Sequence, residues 1–366
     1  MGNINFKTLF LILNIEFMNI VIYGTGGVGG YFGARLAQAG NAVTFIARGK
    51  HLEAIQKNGL KLISPKGDYL VNPANATANI ADVADIDLIL VCVKTWQLEA
   101  AAIEINCVLS EKTMIISLLN GVNNAEVLGA VIDKKHLLGG LCKVVSKIED
   151  FGIIKHISFE PTIVFGELDN VKTERALLLE KVFLGAGFNT KLAENIQTEI
   201  WSKFLFISTI SGICALTEAP VGEIVARPML KKMMREIAEE IVAVAKAKSV
   251  YLSESIVDKQ FKIIESQPYN TTSSLQRDMM AGKPSELEAQ TGAVVKMGIE
   301  LGIPTPINDF LYQYLLPQEK RARSDRPEDR RPQTNVEIFT KLNQKTLFTE
   351  RFIKKLTKSI RKNFEL

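Results

Sequence analysis

The sequence predicts an α/β fold in two parts: a mostly parallel sheet covered by helices, then an all-helical C-terminal domain. Three observations carry that reading. A glycine-rich turn joins an apolar strand to a helix near residue 25, short apolar runs alternate with helical stretches up to about residue 190, and the periodicity beyond is almost wholly helical. A chain of 366 residues has room for two domains of the usual size, about 100–200 residues each. With 47% hydrophobic and 23% charged residues it buries a sizeable core, which excludes a disordered chain.

Residues 1–17 read as an N-terminal extension, because Met18 directly precedes the first strand-like segment. The run from Phe6 to Phe17 carries Lys7, Asn14 and Glu16 and has no small-residue cleavage signature, so it makes a poor signal peptide. No stretch is expected to span a membrane. Residues 19–24 form the first strand, Thr25 to Gly33 the turn, residues 28–39 a helix and Asn41 to Ala47 a second strand, which together make one βαβ unit. Further strands are expected at Leu88 to Val93, Thr113 to Ser117 and Leu137 to Val145, with Ile157 to Phe165 ending the sheet in antiparallel fashion. Helices are expected at Glu199 to Ala215, Pro228 to Val250, Ser255 to Glu265 and Ser285 to Leu301, the last capped by Ser285. The resulting divisions are 18–193 for the sheet domain, 194–318 for the helical domain, closing near Pro317, and 319–366 for a linker and tail.

From Lys320 onward there are 14 Lys or Arg against 6 Asp or Glu, a balance of +8 within a chain total of +4, so the body carries −4. An acidic body offers nothing to nucleic acid. In the tail, Phe348, Phe352, Ile353, Leu356 and Ile360 recur at helical spacing among basic residues, as in a short amphipathic helix. Cys92, Cys107, Cys142 and Cys214 are far apart, as are the three histidines, so neither a disulfide framework nor a metal site is expected and a reducing, cytoplasmic setting is.

Gly24, Gly26 and Gly29 fill a GxGxxG pattern between strand and helix, which makes the N-terminal domain Rossmann-like and dinucleotide-binding. One glycine permits the turn, one lets a pyrophosphate approach the backbone, and one lets helix and strand close. Thr25, Gly27 and Val28 complete the cofactor-binding set in the turn. At the end of the second strand, where an NAD-preferring fold presents a carboxylate to the ribose, this chain has Arg48 and then Lys50, with no carboxylate before Glu53. That arrangement suits a 2′-phosphate and predicts NADPH/NADP+. Lys94 and Asn120 follow later strands and face the same crevice.

Carbonyl reduction needs a proton donor and groups that hold the substrate. Lys203 lies on a strongly apolar helix, Trp201 to Ser211, where burial lowers the proton affinity of an amine, although a lysine snorkelling at a helix start is the simpler account. Ser274 is a hydrogen-bond donor for a carboxylate or carbonyl, and Glu286 an acceptor for a substrate hydroxyl; a cap at Ser285 with Glu286 and Glu288 in the first turn explains the latter arrangement without chemistry.

Taken in order, Ile22-Tyr-Gly-Thr-Gly-Gly-Val-Gly-Gly30, Val93-Lys94-Thr95, Leu119-Asn120-Gly121, Trp201-Ser202-Lys203 and Ser273-Ser274 with Glu286 resemble the ketopantoate reductase (2-dehydropantoate 2-reductase) family over about residues 18–317. The resemblance implies NADPH-dependent reduction of the C2 carbonyl of 2-dehydropantoate to (R)-pantoate, on the route to pantothenate and coenzyme A. It implies Lys203 as general acid, with Asn120, Ser274, Glu286 and Ser211 around the substrate. Arg48 becomes the 2′-phosphate clamp and Lys94 a cofactor or cleft residue. Family members commonly carry asparagines one and two turns after the lysine, where this chain has Ile207 and Ser211. A related reductase of another small branched 2-oxo acid or a β-hydroxy acid is therefore the first alternative, and a non-catalytic NADPH-binding protein the second. A monomer and a homodimer both agree with the sequence.

Overall fold

The computed structural model describes residues 17–324. The expected extension, apart from Phe17, and nearly all of the basic tail with its amphipathic helix lie outside the described residues.

Strand β1 (Asn19–Tyr23) leads through the glycine turn into helix α1 (Gly27–Gln38), then β2 (Ala42–Ile46), α2 (Gly49–Asn58), β3 (Leu60–Ile63), β4 (Tyr69–Val71) and β5 (Asn75–Thr77). Next come β6 (Leu88–Val91), α3 (Leu98–Asn106), β7 (Met114–Ser117) and α4 (Asn124–Gly129). A long hairpin follows, β8 (Leu137–Asp150) with β9 (Ile153–Glu167), and then α5 (Glu174–Gly185) and β10 (Asn189–Leu192). The ten strands form one sheet in the order β4-β3-β9-β8-β7-β6-β1-β2-β5, with β10 beside β9. All pairs are parallel except β3–β4 and β8–β9. The predicted, mostly parallel sheet is observed, and Ile157 to Phe165 runs antiparallel to β8 as expected, but β9 does not end the sheet, because β3 and β10 both pair in parallel along its other edge. From β1 the chain moves outward to β2 and then returns to place β6 on the other side, so strand order reverses at β1. At such a reversal the helices before and after leave on opposite faces, opening a crevice at the carboxyl ends of β1 and β6.

The helical part comprises α6 (Ile196–Thr217), α7 (Val221–Val225), α8 (Pro228–Ala247), α9 (Ile256–Glu265), α10 (Ser274–Met280), a π-helical turn (Glu288–Gly292), α11 (Ala293–Leu301) and α12 (Pro306–Ser324). Its core is built on Trp201, Phe204, Leu205 and Ile213 of α6 packed against Met234, Ile237 and Ile241 of α8. α6 has the length and apolarity of a bilayer span, contrary to expectation, yet those side chains are buried in this core. Leu141 and Val164 of the hairpin meet Ala193, Ile196 and Ile200, which seats the start of α6 on the sheet.

One expectation is corrected at the C-terminal side, the regular helix from Ser285 to Leu301. Ser285 makes the expected cap-type bond, its hydroxyl accepting from Leu287 N–H at 3.3 Å, but the segment then opens as a π-turn, in which Gly292 N–H bonds to Leu287 O at 2.9 Å. The Ser285 hydroxyl also donates to Glu319 at 2.6 Å, and the Ser285 N–H donates to the same carboxylate at 3.0 and 3.1 Å. Helix α12 runs through Pro317 to Ser324. Proline forfeits one helical hydrogen bond, but Glu319, only 2% exposed, is anchored two residues later by Ser285, and Gln318 bonds to Met279 O. Glu319→Ala would strand two buried Ser285 donors, so a loss of about 3 kcal/mol is expected. Urea unfolding should report it as a lower midpoint at unchanged slope.

Candidate active site

The first half of the site is the turn after β1. Gly24 has φ +104°, and a Cβ there would lie 2.9 Å from the Cys92 and Val93 backbone. A Cβ on Gly29 would lie 2.2 Å from Gly24 O, whereas one on Gly26 would meet nothing within 4 Å. Gly24 and Gly29 therefore serve the turn and the helix–strand contact, and Gly26 keeps a backbone face open. Thr25 pins the loop to β2, with its N–H and its hydroxyl both donating to Ile46 O at 3.0 Å. Helix α1 starts at Gly27 with no side chain capping its N-terminus and no acidic residue in its first turn. Val28 lies in that first turn, so free N–H groups and the positive end of a helix dipole face the crevice. A dinucleotide pyrophosphate fits this cradle.

Arg48 is the N-cap of α2, beyond the end of β2, and its side chain is 51% exposed. Proximity in sequence concealed one neighbour: Glu104 of α3 stands 3.9 Å from the Arg48 guanidinium and accepts a short hydrogen bond from Tyr23. Lys94 follows β6 and reaches across the cleft to Asp278 of α10 at 3.4 Å, an acidic partner that sequence reasoning did not single out.

On the helical side, Lys203 sits two turns into α6. Burial pulls its ammonium below the ordinary lysine range; Cys142 and Glu286 draw it back up, and Lys143 adds to the lowering. Burial pushes the Cys142 thiol up, against the opposing charge of Lys203, so it is a poor nucleophile here. Glu286 is 7% exposed and accepts a 2.8 Å hydrogen bond from Asn120 Nδ2. That bond joins the loop after β7 to the segment entering the π-turn. Gly121, at φ +104°, makes the approach possible, since a Cβ there would lie 3.3 Å from Ala289 O.

Ser274 is exposed in the first turn of α10. The capping work falls to Ser273, whose hydroxyl accepts from Gln276 N–H at 3.0 Å, leaving Ser274 Oγ available. Ser211 is 2% exposed, two turns beyond Lys203, and Ile207 stands between them. Nearby, Ser208 Oγ and Thr209 Oγ1 on α6, with Gln290 Oε1 and Thr291 Oγ1 on the π-turn, are buried without hydrogen-bond partners. Orphaned polar atoms of this kind mark a place that a polar ligand or ordered water completes. Gln290 and Thr291 carry no signature legible in the sequence, because a π-turn alters which side chains face inward. Lys203, Glu286 and Asn120 thus come together; Ser274 lies on the neighbouring helix end, and the turn, Arg48 and Lys94 line the ends of β1, β2 and β6. Among the described residues no His, Cys, Asp and Glu cluster could hold a metal.

Comparison with known proteins identifies the family. Residues 20–170 match the family model "Ketopantoate reductase PanE/ApbA", and residues 195–319 match the model of its C-terminal domain. The chain is 31% identical over 298 residues to the uncharacterized oxidoreductase YkpB of Bacillus subtilis, covering 81% of this chain and 98% of that protein. It is 32% identical over 292 residues to a 2-dehydropantoate 2-reductase of Archaeoglobus fulgidus, covering 80% and 95%. Among solved structures, a PanE/ApbA family ketopantoate reductase from Ralstonia eutropha JMP134 superposes with a TM-score of 0.77 at 30% identity, over 84% of this chain and all of the other. A glycine turn at the sheet reversal, and a half-buried lysine grouped with Glu286 and Asn120, agree with a dinucleotide-dependent reductase of small 2-oxo acids, and the chain belongs to the ketopantoate reductase PanE/ApbA family of oxidoreductases.

Proposed function

We propose that the protein reduces the C2 carbonyl of 2-dehydropantoate to (R)-pantoate with NADPH. The observation that carries this reading is the convergence of Lys203, Glu286 and Asn120 in a chain that also has the open glycine turn. The glycine turn and Arg48 would hold the cofactor, whose nicotinamide would supply the hydride for C2. The chain's own residues do the rest. Lys203 holds a proton at Nζ and gives it to the carbonyl oxygen as negative charge develops there, and burial makes the ammonium a stronger acid than a free lysine. Glu286 accepts a hydrogen bond from a substrate hydroxyl, its carboxylate aimed by Asn120 Nδ2. Ser274 Oγ donates to the substrate carboxylate. Closure of the cleft around both ligands excludes water.

The preference for NADPH rests on Arg48, an exposed cation at the end of β2. Glu104 beside it steers the guanidinium and also places a negative charge near the same ribose. Arg48→Ala is expected to weaken NADPH binding by about 10–100-fold, the value of a charge-assisted phosphate contact, with NADH binding changed less than about 3-fold. Fluorescence titration of both cofactors checks this.

A second reading keeps the chemistry and changes the substrate. Ile207, half-buried one turn after Lys203, supplies no amide, so a 2-oxo acid with an apolar branch in place of the hydroxyl fits that wall. Following NADPH absorbance with 2-dehydropantoate and with 3-methyl-2-oxobutanoate separates them. Faster turnover of 2-dehydropantoate supports the first; turnover of the branched acid alone overturns it in favour of the second.

A further inference from the structure

Strand β8 and helix α6 run side by side in step. A Cβ on Gly139 would lie 2.6 Å from Ile196 Cγ1, and Leu141 packs with Ile196 and Ile200. Two residues along a strand advance about 6.6 Å, and three or four along one face of a helix about 4.5–6 Å. The next β8 side chain on that face is Lys143, and the next position along that stripe of α6 is Lys203. Beyond Lys143 the ladder to β9 slips register before Val145, so Lys143 is the last residue in this regular stretch. Its side chain is exposed. The charge of Lys143 is felt at Lys203, as expected of ammonium groups on facing elements.

We propose that Lys143 is a second cation of the substrate site, holding the carboxylate of the 2-oxo acid while Lys203 faces the adjacent carbonyl. A 2-oxo acid presents oxygens on neighbouring carbons, which two side-by-side ammonium groups match. A carboxylate entering a closing cleft also needs more compensation than one serine hydroxyl provides, and it can accept from Ser274 and Lys143 together. The assignment rests on the reductase reading and adds a consequence to it. The groups acting on Lys203 are Cys142 and Lys143 from β8 and Glu286 from the segment before the π-turn. When the substrate carboxylate neutralises Lys143, the acid regains proton affinity, so Lys203 is best charged when a 2-oxo acid is in place.

The test uses the full chain saturated with NADPH, comparing the parent, Lys143→Met and Lys143→Arg on 2-dehydropantoate and on the corresponding uncharged amide. Lys143→Met is expected to lower kcat/KM for the acid by about 30-fold, the value of one charge-assisted contact, and for the amide by less than about 3-fold. Lys143→Arg should recover most of the loss, and the alkaline limb of kcat/KM should move to higher pH in Lys143→Met because a cation beside Lys203 is gone. Equal losses on acid and amide, or no loss on the acid, would overturn the assignment. Failure of the parent on 2-dehydropantoate is a separate result that removes the proposed substrate. Calorimetric binding of 3-methyl-2-oxobutanoate then decides Lys143: weaker binding to Lys143→Met supports the cation, and unchanged binding rejects it.

Discussion

Lys203→Ala is expected to lower kcat/KM by about three orders of magnitude, within the range a positioned general acid contributes, and to leave NADPH binding within about 2-fold. Lysine has an ordinary value of 10.5, and burial lowers it here. The acid form carries the reaction, so the parent's rate should fall as pH rises through that lowered pKa, earlier than a free lysine would allow. Stability runs the other way. The unfolded chain holds this proton more tightly than the folded one, so the folded state is penalised below the lowered pKa, and the penalty fades as pH climbs through it toward 10.5. Lys203→Met should therefore raise Tm at neutral pH while abolishing turnover. Calorimetry and a pH–rate profile on the same preparations check both; an active Lys203→Met protein would remove Lys203 from the proton-donor role.

Glu286→Ala is expected to lower kcat/KM by about 100-fold, chiefly through KM if the carboxylate binds a substrate hydroxyl. The change also strands Asn120 Nδ2, which Glu286 now accepts from at 2.8 Å. Asn120→Ala and Glu286→Ala should therefore be far from additive, and a double-mutant cycle would show it. A further sign distinguishes this role from simple packing. Glu286 helps hold the proton on Lys203, so removing it should move the alkaline limb of the rate profile to lower pH, opposite to the shift expected for Lys143→Met. A profile that stays put would detach Glu286 from the proton donor.

The fold class was readable because it depends on local pattern. Strand, glycine turn, helix and strand at 19–47 follow from apolar runs and from the conformations only glycine adopts, and the helical half follows from its periodicity. Edge strands β4, β5 and β10 escaped notice because they are three or four residues long and β5 and β10 are mostly polar, so sheet neighbours rather than intrinsic preference hold them extended. Pro317 lies inside α12 without breaking it, and Glu319, two residues on, is tied to Ser285 by a contact that local pattern does not reveal.

What the sequence by itself determined is the ordered set of motifs: the turn at Gly24 to Gly29, the cation at 48, a lysine on an apolar helix and a carboxylate at 286. Each is a statement about one residue in its own segment. Tertiary structure alone decided which of them meet. Asn120 and Glu286 are 166 residues apart and share a hydrogen bond, Lys94 and Asp278 are 184 apart and form an ion pair, and Glu104 stands beside Arg48 only because α3 packs along the β1–β6 side of the sheet. The proton affinity of Lys203 belongs to the same class, since it is set by desolvation and by charges from two other elements, and neither exists until the chain has folded.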